Sequence, residues 1–242
     1  MNSAVEPAAR LELDDYDWDE RHAEVLACQS AADPEVVLIG DSITHLFGAM
    51  PPQALPEGYA RGQRAFDALF RPAGRRPRRV LNLGFGWDRT QNVLWRLDHG
   101  ELDERLSPSL VVINIGTNNT MATDNARENT APEIAAGIAA VCARVRAKVP
   151  ASCRIVLMKI FPREELPSHP RRLLIDSVNA LLPALAQQEC CTLLDVAPAM
   201  LQPDGTLPRS LVPDLTHPNE AGYELWADAL RPFVAALDTT TT

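Results

Sequence analysis

Residues 36–45, Val36-Val37-Leu38-Ile39-Gly40-Asp41-Ser42-Ile43-Thr44-His45, join two patterns without a spacer. Four apolar residues run together with no polar alternation. A strand covered on both faces reads this way. Gly-Asp-Ser stops the run, and an aspartate or serine there suits the N-cap of a helix. The stretch therefore reads as a buried strand that passes straight into a helix. It also leaves a serine hydroxyl at the turn. That hydroxyl is either part of the cap or a nucleophile that needs a base from elsewhere in the chain.

Working outward, similar runs recur at 79–84 (RVLNLG), 110–115 (LVVINI), 154–160 (RIVLMKI) and 192–196 (TLLDV). Helical patterns lie between them. Ile134, Ile138, Val141 and Val145 form one stripe over 132–148, and Leu174, Val178, Leu181 and Leu185 form another over 171–187. Ala221, Leu225, Ala229 and Leu230 mark a third over 219–236. Pro150 ends the first helix, and Pro232 is expected to cut into the last. Strands alternating with helices predict parallel β-α-β units with right-handed crossovers. No repeat or mid-chain linker is visible. The expected organisation is an N-terminal extension at 1–30, one domain at 31–238 and a tail at 239–242. The first 20 residues and the tail read as peripheral.

Composition removes several classes. The formal net charge of −9 disfavours nucleic acid as a partner. The basic cluster Arg71–Arg79 reads as a solvated loop before a strand. Five cysteines, two of them adjacent and none in a C-x-x-C pair, point to reduced thiols, with no disulfide framework and no zinc site. No apolar run is long enough for a membrane span. The acidic start lacks the apolar core of a secretory signal, so a cytoplasmic location is expected of the sequence as written.

Ligands of parallel sheets bind outside the carboxyl ends of the strands. The five candidate strands deliver Asp41-Ser42, Phe85-Gly86-Trp87-Asp88, Gly116-Thr117-Asn118-Asn119, Phe161-Pro162-Arg163 and a late loop holding Asp214-Leu215-Thr216-His217-Pro218. Among the five histidines, His45 follows Ser42 on the same helix, His99 and His169 sit at helix ends or loops, and His22 lies in the acidic start. His217 differs. Asp214 stands three residues before it, and Pro218 biases it away from helical angles. One ring nitrogen can then meet Asp214 while the other faces the serine. The other reading is that Asp214 and His217 only start the helix at 219–236. Oxyanion donors would be the Ser42 N–H, the Asn118 side chain and a backbone N–H from 84–88, although Asn118 also suits a turn. Asp41, Asp88, Arg89, Thr90 and Asn119 are expected to hold the loops. No G-x-S-x-G elbow occurs.

Taken together, GDSI at 40–43, NLGFGWD at 82–88, GTNN at 116–119 and DLTHPNEAGY at 214–223 resemble the ordered blocks of SGNH hydrolases, also called GDSL-type esterases. TQNVLWRLDHGEL at 90–102 and FPR at 161–163 resemble the subgroup related to the catalytic subunits of platelet-activating-factor acetylhydrolase isoform Ib. The resemblance covers roughly residues 30–235. It implies a flavodoxin-like three-layer α/β/α sandwich with a five-stranded parallel sheet, and a serine esterase acting by two-step acyl transfer without cofactor or metal. It implies Ser42 as nucleophile, His217 as general base and then acid, Asp214 as its orienting partner and Asn118 as an oxyanion donor. The family's oxyanion glycine falls at Trp87. A tryptophan there keeps the backbone N–H and brings an indole to the acyl pocket, which favours short acyl groups such as acetyl.

The expected substrate is a small ester, either an O-acetylated sugar or an acetylated ether phospholipid. The loops at 119–131 and 162–172 are expected to rim the cleft, and Asp124, Asn125, Arg127 and Glu128 lean it toward a polar substrate. The relatives suggest a homodimer. The alternative is a flavodoxin-like module that binds a phosphate or small molecule without turnover. GDSITH and GFGWDR lack the glycines of a phosphate loop.

Overall fold

The computed structural model describes residues 1–48 and 61–238; the expected tail at 239–242 lies outside the described residues. Five strands form one sheet: β1 (Val36–Gly40), β2 (Val80–Gly84), β3 (Leu110–Asn114), β4 (Arg154–Met158) and β5 (Thr192–Leu194). Their order is β2-β1-β3-β4-β5, and every pairing is parallel. Gly40 stands beside Gly84 on one side and Asn114 on the other, so the tips of β1, β2 and β3 lie level. This is a doubly wound order. The order in which strands are added reverses between β1 and β3, where such sheets open a crevice.

The helices, in chain order, are α1 (Trp18–Ala32), α2 (Ser42–His45), α3 (Gln63–Phe70), α4 (Thr90–Asp98), α5 (Ala131–Lys148), α6 (Pro170–Gln188), α7 (Ala197–Met200) and α8 (Glu220–Ala235). Successive strand residues point to opposite faces, and each face has its own core. Val37, Ile39, Leu81, Leu83, Val111, Ile113, Ile155 and Leu157 pack against α1, α4, α5 and α6. Val36, Leu38, Val80, Leu110, Val112, Val156 and Met158 pack against α2, α3, α7 and α8. The molecule is therefore a three-layer α/β/α sandwich.

Local chemistry sets the helix ends. Thr130 and Glu133 form a reciprocal capping box on α5, Arg146 and Lys148 occupy its last turn, and His169 caps α6 ahead of Pro170. Pro232 does not end α8, contrary to expectation. It lies on the exposed face, while Leu230 and Val234 on the buried face hold the helix through Ala235. Pro183 is accommodated on the exposed face of α6 in the same way.

The first residues are not peripheral. Ala4 is fully buried, Thr90 Oγ1 donates to its carbonyl, and Asn92 Nδ2 donates to the carbonyls of Ala8 and Ala9. The entering chain satisfies polar groups of α4, so hydrogen bonding rather than apolar content fixes it. The basic cluster is, as expected, a largely exposed loop before β2, and its charges are paired. Arg76, Arg78 and Arg79 share Glu35, and Arg79 also pairs with Asp33. Arg75 and Arg78 pair with Asp238. All five cysteines are free thiols. Among the described residues, no helix is long and apolar enough to cross a membrane, and no group of three or more His, Cys, Asp or Glu side chains is set to hold a metal.

Candidate active site

Ser42 opens α2 directly after β1. Gly40 makes this junction possible, because a Cβ there would fall 2.2 Å from Thr44 Oγ1 and 2.3 Å from the Asn114 carbonyl. The Asp41 carboxylate turns back so that Oδ1 accepts from the Ile43 N–H at 3.0 Å. The cap is thus Asp41, and the Ser42 hydroxyl is left for another partner. Its Oγ lies 2.8 Å from His217 Nε2.

The His217 loop is organised by Asp214. Oδ1 accepts from the backbone N–H of Thr216 at 3.0 Å and of His217 at 2.7 Å. Oδ2 lies 3.0 Å from His217 Nδ1 and accepts from Arg61 at 2.8 Å. Leu215 closes this turn at φ 60°. A carboxylate only accepts, so Nδ1 carries the ring proton and Nε2 presents its lone pair to Ser42. Burial lowers the affinity of His217 for a second proton, Asp214 opposes that, and Arg61 and Arg163 add to it. Burial pushes Asp214 up, but the hydrogen bonds from His217 and Arg61 outweigh it and hold its carboxyl well below the usual range.

Opposite this pair is the loop after β2. Trp87 sits at φ 64°, the left-handed region, where a non-glycine residue costs about 1–2 kcal/mol. Its N–H has no protein acceptor among the described residues. Asn118, in a short turn after β3, donates one Nδ2 proton to the Asp88 carbonyl at 3.0 Å and keeps the other. The loop is clamped from behind. Trp18 Nε1 donates to Asp88 Oδ1 at 2.8 Å, Arg96 Nε donates to Asp88 Oδ2 at 2.8 Å, and the Tyr16 hydroxyl donates to the Gly86 carbonyl at 3.3 Å. Burial raises Asp88 to about 6 against the pull of Arg96.

Ser42, Trp87, Asn118, Asp214 and His217 line one cleft of about 470 Å³. The sequence-expected site residues are therefore brought together at the carboxyl ends of β1, β2 and β3. A hydroxyl bonded to an imidazole, a carboxylate on the far ring nitrogen and spare N–H donors around one cleft are groups that acyl transfer can use.

Other histidines lie elsewhere. His22 is paired with Glu101, His45 is buried against Tyr16, His99 stacks on Trp95 and His169 caps α6. Asp41 is fully buried and raised by burial to about 7. Arg89 spans to the carbonyls of Arg127 and Met121, while Asn119 accepts from the Thr90 N–H.

Sequence reasoning missed Asp14, Asp15, Leu46 and Arg61 in the cleft wall, and it placed Arg163 and the loop of Met121 at this edge without giving either a role. Arg163 follows Phe161-Pro162 at a strand tip, which was a usable signal. Its guanidinium donates to Thr216 Oγ1 at 2.9 Å and sits 3.5 Å from Thr117 Oγ1. Of the two loops expected at the rim, Met121 and Arg163 reach the cleft, but Asp124, Asn125, Arg127 and Glu128 do not line it. Arg127 is drawn to Glu133, and Asn125 donates to Glu12. The lean toward a polar substrate loses that basis.

A family profile described as GDSL-like Lipase/Acylhydrolase family matches residues 38–225. The chain is 32% identical over 221 residues to the platelet-activating factor acetylhydrolase IB subunit alpha1 of Homo sapiens, covering 91% of this chain and 84% of that one. Two solved structures share the fold. A GDSL-like lipase from Bacteroides thetaiotaomicron superposes with a TM-score of 0.64 at 19% identity, covering 89% of this chain and 99% of that one. An acetylxylan esterase from Geobacillus stearothermophilus gives 0.62 at 21% identity, covering 83% and 94%.

Proposed function

The chain belongs to the GDSL-like lipase/acylhydrolase family and is a hydrolase acting on esters; from that premise we propose that it is a serine esterase cleaving short-chain, chiefly acetyl, esters through Ser42. The observation that carries the reading is the 2.8 Å approach of Ser42 Oγ to the free ring nitrogen of His217.

Ser42 Oγ attacks the ester carbonyl carbon while His217 Nε2 takes the hydroxyl proton. Asp214 accepts from Nδ1 and stabilises the imidazolium. The tetrahedral oxyanion lies among the N–H groups of Ser42 and Trp87 and the second Nδ2 proton of Asn118. As the carbon–oxygen bond to the alcohol breaks, His217 returns the proton to the leaving oxygen. Water then enters, His217 takes its proton, and the hydroxide attacks the acyl-serine. The intermediate collapses, the bond between the acyl carbon and Ser42 Oγ breaks, His217 returns the proton to Oγ, and the free acid leaves. Every proton is accounted for by one imidazole, so the scheme asks for no further cofactor.

The acyl preference rests on Trp87. Trp87 lines the cleft, and in this reading its indole limits the space behind the carbonyl. The alcohol is an O-acetylated sugar or an acetylated lipid, in keeping with relatives named acetylhydrolase and acetylxylan esterase. Hydrolysis of p-nitrophenyl acetate tests the reading. Ser42→Ala should lose at least about 10³-fold in kcat, and activity surviving that change would remove Ser42 from its role.

A further inference from the structure

We propose that Arg61 is a positioning residue that locks the Asp214 carboxylate onto the His217 ring and joins the nucleophile's helix to the base loop. This rests on the esterase reading above. Asp214 Oδ2 receives two donors, His217 Nδ1 and the Arg61 guanidinium, at 3.0 and 2.8 Å. Oδ1 is already occupied by two backbone N–H groups. All rotation of the carboxylate is thereby blocked, and Arg61 is the only side chain outside the loop that the described hydrogen bonds place on it.

The other end of Arg61 is tied to the serine side. The backbone N–H groups of Arg61 and Gly62 both donate to the Leu46 carbonyl, at 3.2 and 3.3 Å, one residue beyond α2. Gly62 packs so closely on Tyr223 that a Cβ would fall 2.5 Å from its ring. The Tyr223 hydroxyl in turn donates to the carbonyl of Ile43, next to Ser42, at 2.7 Å. The segment bearing Arg61 is thus linked to the Asp214 carboxylate on one side and to the residues around Ser42 on the other.

A charge in this position has a consequence for the base. The groups facing His217 are Asp214 and Thr216 from its own loop, Arg61 from the segment before α3, Arg163 from the end of β4, and Ser42 beside the buried Asp41 from the β1–α2 junction. Asp14 and Asp15 of the N-terminal segment line the same cleft, and Asp14 Oδ2 lies close against Gly86. Arg61 and Arg163 both oppose protonation of the imidazole, and Arg61 shares the carboxylate oxygen that would stabilise it. Removing Arg61 therefore favours imidazolium. The base must be neutral to act, so the acid limb of activity should move to higher pH.

The test is the pH profile of kcat/KM for p-nitrophenyl acetate in wild type, Arg61→Gln and Arg61→Lys. Arg105→Gln serves as a control, because it deletes the same charge near the amino end of β3. The Arg61–Asp214 pair is partly exposed, so the fold should tolerate its loss. Arg61→Gln should raise the acid limb by about half a pH unit and lower kcat more than it changes KM. Arg61→Lys should keep the limb near wild type. Ring titration of His217 by NMR, in a Ser42→Ala background, should give the same shift with no dependence on turnover. A limb and a ring titration that stay put in Arg61→Gln, or that move equally in Arg105→Gln, overturn the proposal. So does a rise in KM with kcat and limb unchanged, which would make Arg61 a substrate contact. If Ser42→Ala retains wild-type hydrolysis, the esterase reading itself has failed; if it is inactive and the Arg61→Gln limb stays put, only Arg61's role has.

Discussion

Replacing Trp87 separates two effects that meet at one residue. Its backbone is at φ 64° and the residue lines the cleft. Trp87→Ala removes the indole and keeps a Cβ in the left-handed region. Trp87→Gly removes the indole and the Cβ strain together. In both, the space behind the carbonyl grows. A butyryl group carries two methylenes more than acetyl, each worth about 0.8 kcal/mol when buried. If the indole is what denies them room, the ratio of kcat/KM for butyrate over acetate esters should rise by up to about 15-fold. The backbone effect appears in stability. With 39% of Trp87 exposed, roughly 120 Å² of its surface is covered, worth up to about 3 kcal/mol at about 25 cal/mol per Å². Both variants lose most of that. Glycine then recovers part of the strain, less its greater unfolded-state entropy, and should be more stable than alanine by roughly 0.5–1 kcal/mol. The assays are hydrolysis of p-nitrophenyl acetate against p-nitrophenyl butyrate, and urea denaturation of both variants. An unchanged butyryl-to-acetyl ratio in both would refute the acyl-wall role. Alanine as stable as glycine would refute the strain.

Two further outcomes follow from the buried groups around the cleft. The folded Asp41 carboxyl titrates at about 7 because of burial, whereas the unfolded group ionises near 4; wild type therefore loses stability as pH rises from about 4 to 7, and Asp41→Asn should be relatively more stable at pH 7 than at pH 4, a difference that denaturation at the two pH values would expose. Trp18→Phe removes the donor to Asp88 Oδ1 and leaves a buried acceptor unmet, at a cost of about 1–3 kcal/mol; it should also lower kcat by loosening the Trp87 loop, and a variant with wild-type melting temperature and kcat would show that the N-terminal clamp is idle.

Much of the sheet is legible because a strand buried on both faces must be almost wholly apolar. VVLIG gives β1 with its observed limits, and β3 and β4 end one and two residues earlier than their apolar runs suggest. Their order is a property of long-range packing and enters only through family resemblance. Helix α1 is hidden because Arg21, His22 and Gln29 are among its buried positions. Their burial depends on Gly84, Asn82, Glu101 and Gly100, residues more than 60 positions away. The same holds for the first residues, which α4 captures through Thr90 and Asn92 rather than through hydrophobic contact. In the site, the turn from Asp214 to His217 is local and reads from four residues and a proline. Arg61 meets Asp214 across 153 positions, and nothing in its neighbourhood marks it. Polar residues at 124–128 read as a cleft rim, but ion pairs and hydrogen bonds with Glu133 and Glu12 draw Arg127 and Asn125 away.

The most direct test is covalent trapping of the nucleophile. The protein is treated with a fluorophosphonate, digested and analysed by mass spectrometry. One adduct is expected, on the peptide bearing Ser42, and almost none when His217 is changed to alanine. An adduct on any other residue, or esterase turnover inhibited while Ser42 stays unmodified, would contradict Ser42 as the nucleophile.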